Sequence, residues 1–328
     1  MKAVVISTPG GPEVLRYQDV PDPVPGPEDL LVRVHATALN RADILQRMGG
    51  YPQPGPKPAH DIPGLEFAGE VVQIGDRVQG FGLGDRVMGL LAGGGYAEQV
   101  VTHQRLAMKV PDSLSWHEAG ATPEVYITAH DALLQCGLVA GESALIHAAG
   151  SGVGVAAIQI ARMMGASVVV GTAGSEEKLA RAKALGLDVG ANYKTQDFAE
   201  VALEATGGRG VDVVLDVIGA DYLEKNLRAL APKGRMVIVG LMGGGVAQAN
   251  LGMLLQKRLQ IRGTTLRGRP LEEKGYATRA FEKSVLPHIA SGRIKVVVDR
   301  VFPLSEAAAA QEYMASNQNF GKVVLAVG

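Results

Sequence analysis

The stretch "ALIHAAGSGVGVAAIQIARMMGASVVVG", Ala144 to Gly171, decides how the rest of the chain is read. A short apolar run leads into a cluster of small residues, a helix-forming run follows, and a second apolar run closes it. A strict G-x-G-x-x-G laid on "GSGVGV" puts its third glycine on Val155, but shifted back one residue the template falls on Ala149, Ser151 and Gly154. The physical demands are smallness and a permissive backbone: a tight turn, close approach to pyrophosphate, and room where helix meets strand. Ala149, Gly150, Ser151, Gly152 and Gly154 can meet them, and a helix predicted over Val155 to Met164 would turn its free amides toward a phosphate. The alternative is a bare structural turn. The flanking strands, Ala144 to Ala148 and Ser167 to Gly171, complete a βαβ unit and favour a dinucleotide site.

Further predicted strands, Val211 to Ile218, Arg235 to Val239 and Gln260 to Leu266, alternate with helical segments such as Glu176 to Leu185. Short apolar runs alternating with amphipathic helices specify an α/β fold with a doubly wound parallel sheet. The first third reads differently. Turn clusters ("TPGGPE", "PDPVPGPEDL", "GGYPQPGPKP") separate short alternating runs such as Leu30 to His35 and Gly69 to Ile74, the pattern of a β-rich lobe. Ser115 and Glu118 stand at capping-box spacing and start a helix near Trp116. The tail, Arg279 to Gly328, adds a helix, the strand-like "IKVVVDRVFPL", a helix from Ser305 and a last strand in "GKVVLAV".

Which nicotinamide cofactor such a unit would take depends on the end of its second strand. An NAD site places an acid roughly 20 residues past the first glycine, to hold the ribose hydroxyls. Here the chain reads Val170, Gly171, Thr172, Ala173, Gly174, Ser175, with no acid before Glu176, and Lys178 follows. A phosphate is favoured by that lysine and would be repelled by an acid, so the residues point to NADPH. Ser175 as a helix cap and Lys178 as a solvated charge are the alternative. The missing acid separates the readings.

With 328 residues and 47% hydrophobic content, the chain is long enough for two lobes with separate cores. A net charge of −1 removes the long-range field that drives binding to nucleic acid or anionic lipid. The single cysteine, Cys136, excludes an intrachain disulfide and suits a reducing compartment, so the cytoplasm is the expected location. The opening "MKAVVIST" is too short for a secretory signal, and the uncharged window Ser143 to Ala161 is broken by Gly150, Gly152 and Gly154. No membrane partner is expected.

Together with "ALNRADILQRMGGY" (Ala38 to Tyr51), "IPGLEFAGEV" (Ile62 to Val71), "LPHI" at Leu286 and "NFGKVVL" near the end, these residues resemble the zinc-independent quinone oxidoreductases of the medium-chain dehydrogenase/reductase superfamily. "AGSEEKL", "NYKTQDF" and "GLMGGG" are most similar to the p53-inducible quinone oxidoreductase-like branch. The resemblance implies a GroES-like β-rich domain from residues 1–122 and 265–328, a Rossmann domain over 123–264, and a cofactor cleft at their junction. It also implies a homodimer joined through the last Rossmann strand, here Gln260 to Leu266. It places Gly174, Ser175, Lys178 and Tyr193 around the 2′-phosphate and Gly150, Gly152 and Val153 at the pyrophosphate. Asn40, Tyr51 and Thr128 would lie toward the nicotinamide, Gly240, Leu241 and Met242 would pass beneath it, and Thr265, Leu266, Phe320 and Lys322 would make further cofactor contacts. Many relatives read Ser-Gly-Gly where this chain has Gly150, Ser151, Gly152, which leaves open whether Ser151 faces cofactor or acceptor.

Zinc-dependent members carry a histidine in "GHE", where this chain reads Gly64, Leu65, Glu66, and Asn40 occupies a usual cysteine-ligand position. The histidines (His35, His60, His103, His117, His130, His147, His288) are scattered, so no metal site is expected. Without a Lewis acid, a simple ketone would leave a localised alkoxide unstabilised, whereas hydride arriving at a quinone makes a delocalised anion. The expected acceptor is a quinone first and an enone or alkenal second. Tyr51 is the first candidate for a hydrogen-bond donor to it and Ser151 the second, with an aromatic pocket wall as the alternative role for Tyr51. Asp43 and Glu66 resemble an acid/base pair but would equally hold loops through backbone amides, so neither is assigned to catalysis. A ζ-crystallin-like NADPH- and RNA-binding role is the reading from another class. Near-neutral charge and 5% aromatic content give it no support.

Overall fold

The computed structural model describes residues 1–51, 53–56 and 58–328. Contacts divide the chain into two units, Met1–Ile127 with Leu266–Gly328, and Thr128–Thr265. The sequence places the seams at 122/123 and 264/265. The difference at the first arises because the helix Pro123–Gln135 crosses it, its opening turn grouping with the first unit.

In chain order the strands begin with β1 (Lys2–Ile6), β2 (Leu15–Asp19), β3 (Asp29–Ala38), β4 (Glu66–Ile74), β5 (Arg86–Leu90), β6 (Gln99–His103) and β7 (Ala107–Lys109). Next come β8 (Ser143–Ile146), β9 (Val168–Ala173), β10 (Val189–Asn192), β11 (Val211–Asp216), β12 (Leu230–Ile238) and β13 (Gln260–Gly263). The chain returns to the first unit with β14 (Val298–Pro303) and β15 (Lys322–Ala326).

In the first unit β1 and β2 form an antiparallel pair, and the larger sheet runs β14-β15-β3-β4-β5-β7, with β6 also on β3. β3 is the hub because "DLLVRVHATA" is apolar over most of its length and buries against β4, β6 and β15. Leu30, Val32, Phe67, Val87, Tyr96 and Leu325 lie in one core. The predicted cap is present: Ser115 Oγ accepts from Glu118 N–H, and the Glu118 carboxylate accepts from Ser115 N–H, starting the helix Trp116–Gly120.

The second unit is a six-stranded sheet in the order β10-β9-β8-β11-β12-β13, every pairing parallel. Numbered from β8, this is the 3-2-1-4-5-6 order in which ligands bind beyond the carboxyl ends of the strands, where the order reverses. Leu145, Val170, Phe198, Val214 and Met236 fill its core.

Two strand boundaries differ from expectation. β12 begins at Leu230 rather than Arg235, because Leu230 already pairs with Val211 of β11; Lys233 then takes a left-handed conformation (φ 66°) and the pairing resumes at Arg235. β13 stops at Gly263, so Thr265 and Leu266 lie past the strand rather than in it. Among the described residues no helix is long and apolar enough to cross a membrane.

Candidate functional site

In the second unit the chain leaves β8 through His147 and turns at Ala148, a non-glycine residue with φ 51°. The helix begins at Gly152 rather than Val155 and runs to Met163. Ser151 is its N-cap: the hydroxyl oxygen accepts from Gly154 N–H at 3.0 Å. Gly152 and Val153 therefore occupy the first two helical positions, where N–H groups have no intrahelical acceptor. That is the arrangement that holds an anion at a helix start. The hydroxyl of Ser151 is thus engaged as an acceptor while its own proton stays free to donate.

Gly154 fills the role foreseen for the third small residue. A Cβ there would lie 2.1 Å from Ala148 O, so the helix can cross the strand end only because no side chain intervenes. Alanine in an unobstructed helix interior would gain up to about 1 kcal/mol over glycine. Here Gly154→Ala is expected to lose about 1–3 kcal/mol by overpacking, measured by denaturant unfolding. A more stable variant would contradict the geometry.

β9 and β10 end side by side, with Ala173 opposite Asn192. Beyond them Ser175 caps the helix Glu176–Lys183, its Oγ accepting from Lys178 N–H at 3.3 Å. A Cβ on Gly174 would lie 2.6 Å from Tyr193 Oη, so the glycine lets the phenol close over the strand end. Asn192 Nδ2 donates to Glu176 Oε1 at 2.9 Å and engages one of the two acids, Glu176 and Glu177, in the first turn of that helix. Gly174, Ser175, Lys178 and Tyr193 are thus assembled at one place. The cap role of Ser175 is what the geometry shows, and it leaves the hydroxyl proton available.

A buried network ties these strand ends together. His147 Nε2 is 2.7 Å from Asn226 Oδ1 and Nδ1 is 3.1 Å from Thr172 Oγ1, while Asn226 Nδ2 donates to Asp216 Oδ2. Because an amide oxygen only accepts, Nε2 carries the proton and Nδ1 accepts from threonine. Burial lowers the imidazole to about 4, so it stays neutral, and burial raises the Asp216 carboxyl to about 6. Asp216 also accepts from Ile218 and Gly219 N–H. On the adjoining loop Met242 and Gly243 N–H donate to Val217 and Ile218 O, setting Gly240, Leu241 and Met242 beside the end of β11, with Leu241 and Met242 exposed. His147 is the satisfied structural histidine that its scattered position suggested. Thr128 is half-buried on its helix and Thr265 is exposed beyond β13.

The first unit holds a second constellation. Lys322 Nζ is 2.8 Å from Glu66 Oε1, 2.8 Å from Asn40 Oδ1 and 2.7 Å from Leu39 O. All three ammonium protons of Lys322, expected at the cofactor, are engaged inside the protein and the residue is 3% exposed. Leu266 and Phe320, also expected to contact the cofactor, are buried. Asn40 Nδ2 donates to Glu66 Oε1 at 2.9 Å, and Glu66 Oε2 accepts from Glu124 N–H at 2.8 Å.

Asp43 accepts from Asn40 N–H, Gly64 N–H and Tyr96 Oη–H. Burial lifts its carboxyl to about 6 despite these donors. The loop-holding reading of Asp43 and Glu66 is the one that the geometry supports. Tyr51 is held from a residue the sequence did not single out. Arg267 donates to Tyr51 O, Ala92 O and Gln46 Oε1, and its guanidinium lies 5.0 Å over the Tyr51 ring. No local pattern marks Arg267, which sits 216 positions from Tyr51. Among the described residues no group of three or more His, Cys, Asp or Glu side chains could hold a metal ion.

Residues 26–112 match the alcohol dehydrogenase GroES-like domain family and residues 152–283 the zinc-binding dehydrogenase family. The chain is 34% identical, over 98% of its length, to part of the phenolphthiocerol/phthiocerol polyketide synthase of Mycobacterium tuberculosis, and the match spans 14% of that far longer polypeptide. It is 41% identical to the quinone oxidoreductase of Lama guanicoe over 54% of each protein, so the match spans about half of that relative. Among solved structures, an NAD-dependent alcohol dehydrogenase superposes with a TM-score of 0.89 at 37% identity, covering all of both chains. The Escherichia coli quinone oxidoreductase complexed with NADPH gives 0.88 at 31% identity, covering 99% of this chain and 100% of that one. A GroES-like β-rich domain and a Rossmann domain, joined in this order and matched end to end by solved relatives, place the chain in the medium-chain dehydrogenase/reductase superfamily, with quinone oxidoreductases among its homologues.

Proposed function

We propose that the protein is an NADPH-dependent, zinc-independent quinone oxidoreductase. The observation that carries the cofactor assignment is the strand end at Gly174–Ser175. No acid stands where a ribose-binding carboxylate would, Glu176 is engaged by Asn192, and Ser175, Lys178 and Tyr193 are grouped there. These three would hold the 2′-phosphate, and the N–H groups of Gly152 and Val153 the pyrophosphate. When bound, the cofactor supplies two electrons as hydride. The NADPH complex of the E. coli quinone oxidoreductase supports this choice, while the NAD-dependent neighbour makes it worth testing at Lys178.

The donors present support zinc independence. Leu65 replaces the histidine of "GHE", Asn40 stands for a cysteine, and Glu66 is engaged by Lys322, Asn40 and Glu124 N–H. A conjugated acceptor, whose reduced form spreads its charge, fits a site without a Lewis acid. Tyr51, oriented by Arg267, is the hydrogen-bond donor we assign to the acceptor carbonyl, with Ser151 second. The exposed edge strand β13 is the surface through which we expect a homodimer to form.

Stopped-flow turnover with NADPH or NADH against several quinones and an α,β-unsaturated aldehyde tests the reading. Quinone reduction with NADPH preferred is the expected result. Preference for NADH overturns the cofactor, and faster turnover of the aldehyde overturns the acceptor in favour of double-bond reduction.

A further inference from the structure

The turn that opens the helix Gly152–Met163 is strained, and its own residues do not hold it. Ala148 sits at φ 51°, a left-handed conformation that a residue with a Cβ keeps only when its surroundings fix it. What fixes it comes from the neighbouring strand β9. Thr172 takes both N–H groups of the turn: its carbonyl oxygen accepts from Ala149 N–H at 2.8 Å, and its hydroxyl oxygen accepts from Ala148 N–H at 3.3 Å. Ser151 N–H then closes the turn on Ala148 O at 2.8 Å, and Ser151 caps the helix whose first two residues are Gly152 and Val153.

The hydroxyl is held in its turn. With Ala148 N–H on its oxygen, Thr172 gives its proton to His147 Nδ1, His147 gives Nε2–H to Asn226 Oδ1, and Asn226 Nδ2 donates to Asp216 Oδ2. Every step runs toward the carboxylate, and in such a chain each bond polarises and strengthens the next. His147, Asn226 and Asp216 are 0% exposed and Thr172 is 1% exposed, so water does not compete. Phe198 and Tyr222 close edge-on against the imidazole, each at 4.8 Å, and fix its plane. At the far end Asp216 accepts from Ile218 and Gly219 N–H, so the chain joins the ends of β8 and β11, the two strands between which the sheet order reverses. Packing alone would be served by valine, which has the shape of threonine and occupies three places earlier in β9, Val168, Val169 and Val170. Only the hydroxyl sets Thr172 apart.

Resting on the cofactor assignment above, we propose that Thr172 is a positioning residue for the dinucleotide: its hydroxyl, backed by His147, presets the turn that presents the Gly152 and Val153 N–H groups to the pyrophosphate. Amides already in place need no ordering on binding, which is how a preset anion site gains affinity over a mobile one. The effect belongs to the pyrophosphate, which NADPH and NADH share, and not to the 2′-phosphate.

The test titrates wild type, Thr172→Val and Thr172→Ser, each as the full chain, with NADPH, NADH and adenosine 2′-monophosphate, which carries the 2′-phosphate but no pyrophosphate. Calorimetry reads Kd. Thr172→Val should raise the Kd of NADPH and of NADH by the same factor, about 10-fold, the loss of one charge-assisted hydrogen bond, and leave that of adenosine 2′-monophosphate within about twofold. Thr172→Ser keeps the hydroxyl and should hold NADPH binding within about threefold of wild type. A valine variant that binds NADPH as tightly as wild type overturns the proposal. So does one that weakens all three ligands alike, because that marks a general loosening of the unit. Should the valine variant not fold, amide hydrogen exchange of the wild type without cofactor decides: protection of Ala148 and Ala149 N–H supports a preset turn, and exchange at the rate of an unstructured chain overturns it. Failure of the wild type to bind NADPH at all rejects the cofactor assignment itself, and the proposal with it.

Discussion

Exchanging Lys178 for glutamate is expected to lower kcat/KM for NADPH by about 100-fold while changing that for NADH only a few-fold. Lys178 lies in the first turn of a helix capped by Ser175, next to the strand end closed by Tyr193. Hydrogen bonds to a charged group contribute about 1.5–3 kcal/mol, and about 1.4 kcal/mol is tenfold in a binding constant. Losing the cation and adding an anion next to a 2′-phosphate therefore reaches two orders of magnitude. NADH lacks that phosphate and should be nearly indifferent. Parallel initial-rate curves with the two cofactors decide it. An unchanged ratio would mean that Lys178 is a solvated surface charge and that selectivity arises elsewhere.

Lys322→Met should cost about 3–5 kcal/mol of stability, the range for breaking one side of a buried ion pair. The methionine keeps most of the volume, but Glu66 Oε1 and Asn40 Oδ1 lose their cation at a place 0% exposed for Glu66 and 3% for Lys322. The double substitution Lys322→Met with Glu66→Gln should recover part of the loss, because it removes the stranded charge rather than only its partner. Urea unfolding of the two variants measures both. A single variant as stable as wild type would mean that water reaches the carboxylate.

Much of this was legible along the chain. The small residues at Ala149, Ser151 and Gly154 announced a tight turn because the demand is steric and local, and the structure puts Gly154 against Ala148 O. The capping box at Ser115 and Glu118 was legible for the same reason. The helix start was misplaced by three residues because glycines at 152 and 154 disfavour a helix by propensity, whereas the Ser151 cap and the packing against β8 hold one there. The family resemblance places Lys322 at the cofactor, and nothing near it in sequence reveals that its three protons are engaged at Leu39, Asn40 and Glu66.

Three features were already written in the order of residues: two lobes of different class, a parallel sheet with a tight small-residue turn after its first strand, and the absence of an acid at the end of the second. Each follows from neighbours within one element or one βαβ unit. Which polar groups are already satisfied was settled only in three dimensions. Glu66 and Lys322, or Gln46 and Arg267 at a separation of 221 residues, meet because β3, β4 and β15 share a sheet or because the chain re-enters the first unit. Burial makes such partners obligatory, since an unpaired charge inside the protein costs several kcal/mol. Periodicity registers which face of an element is buried, but not which distant residue waits there.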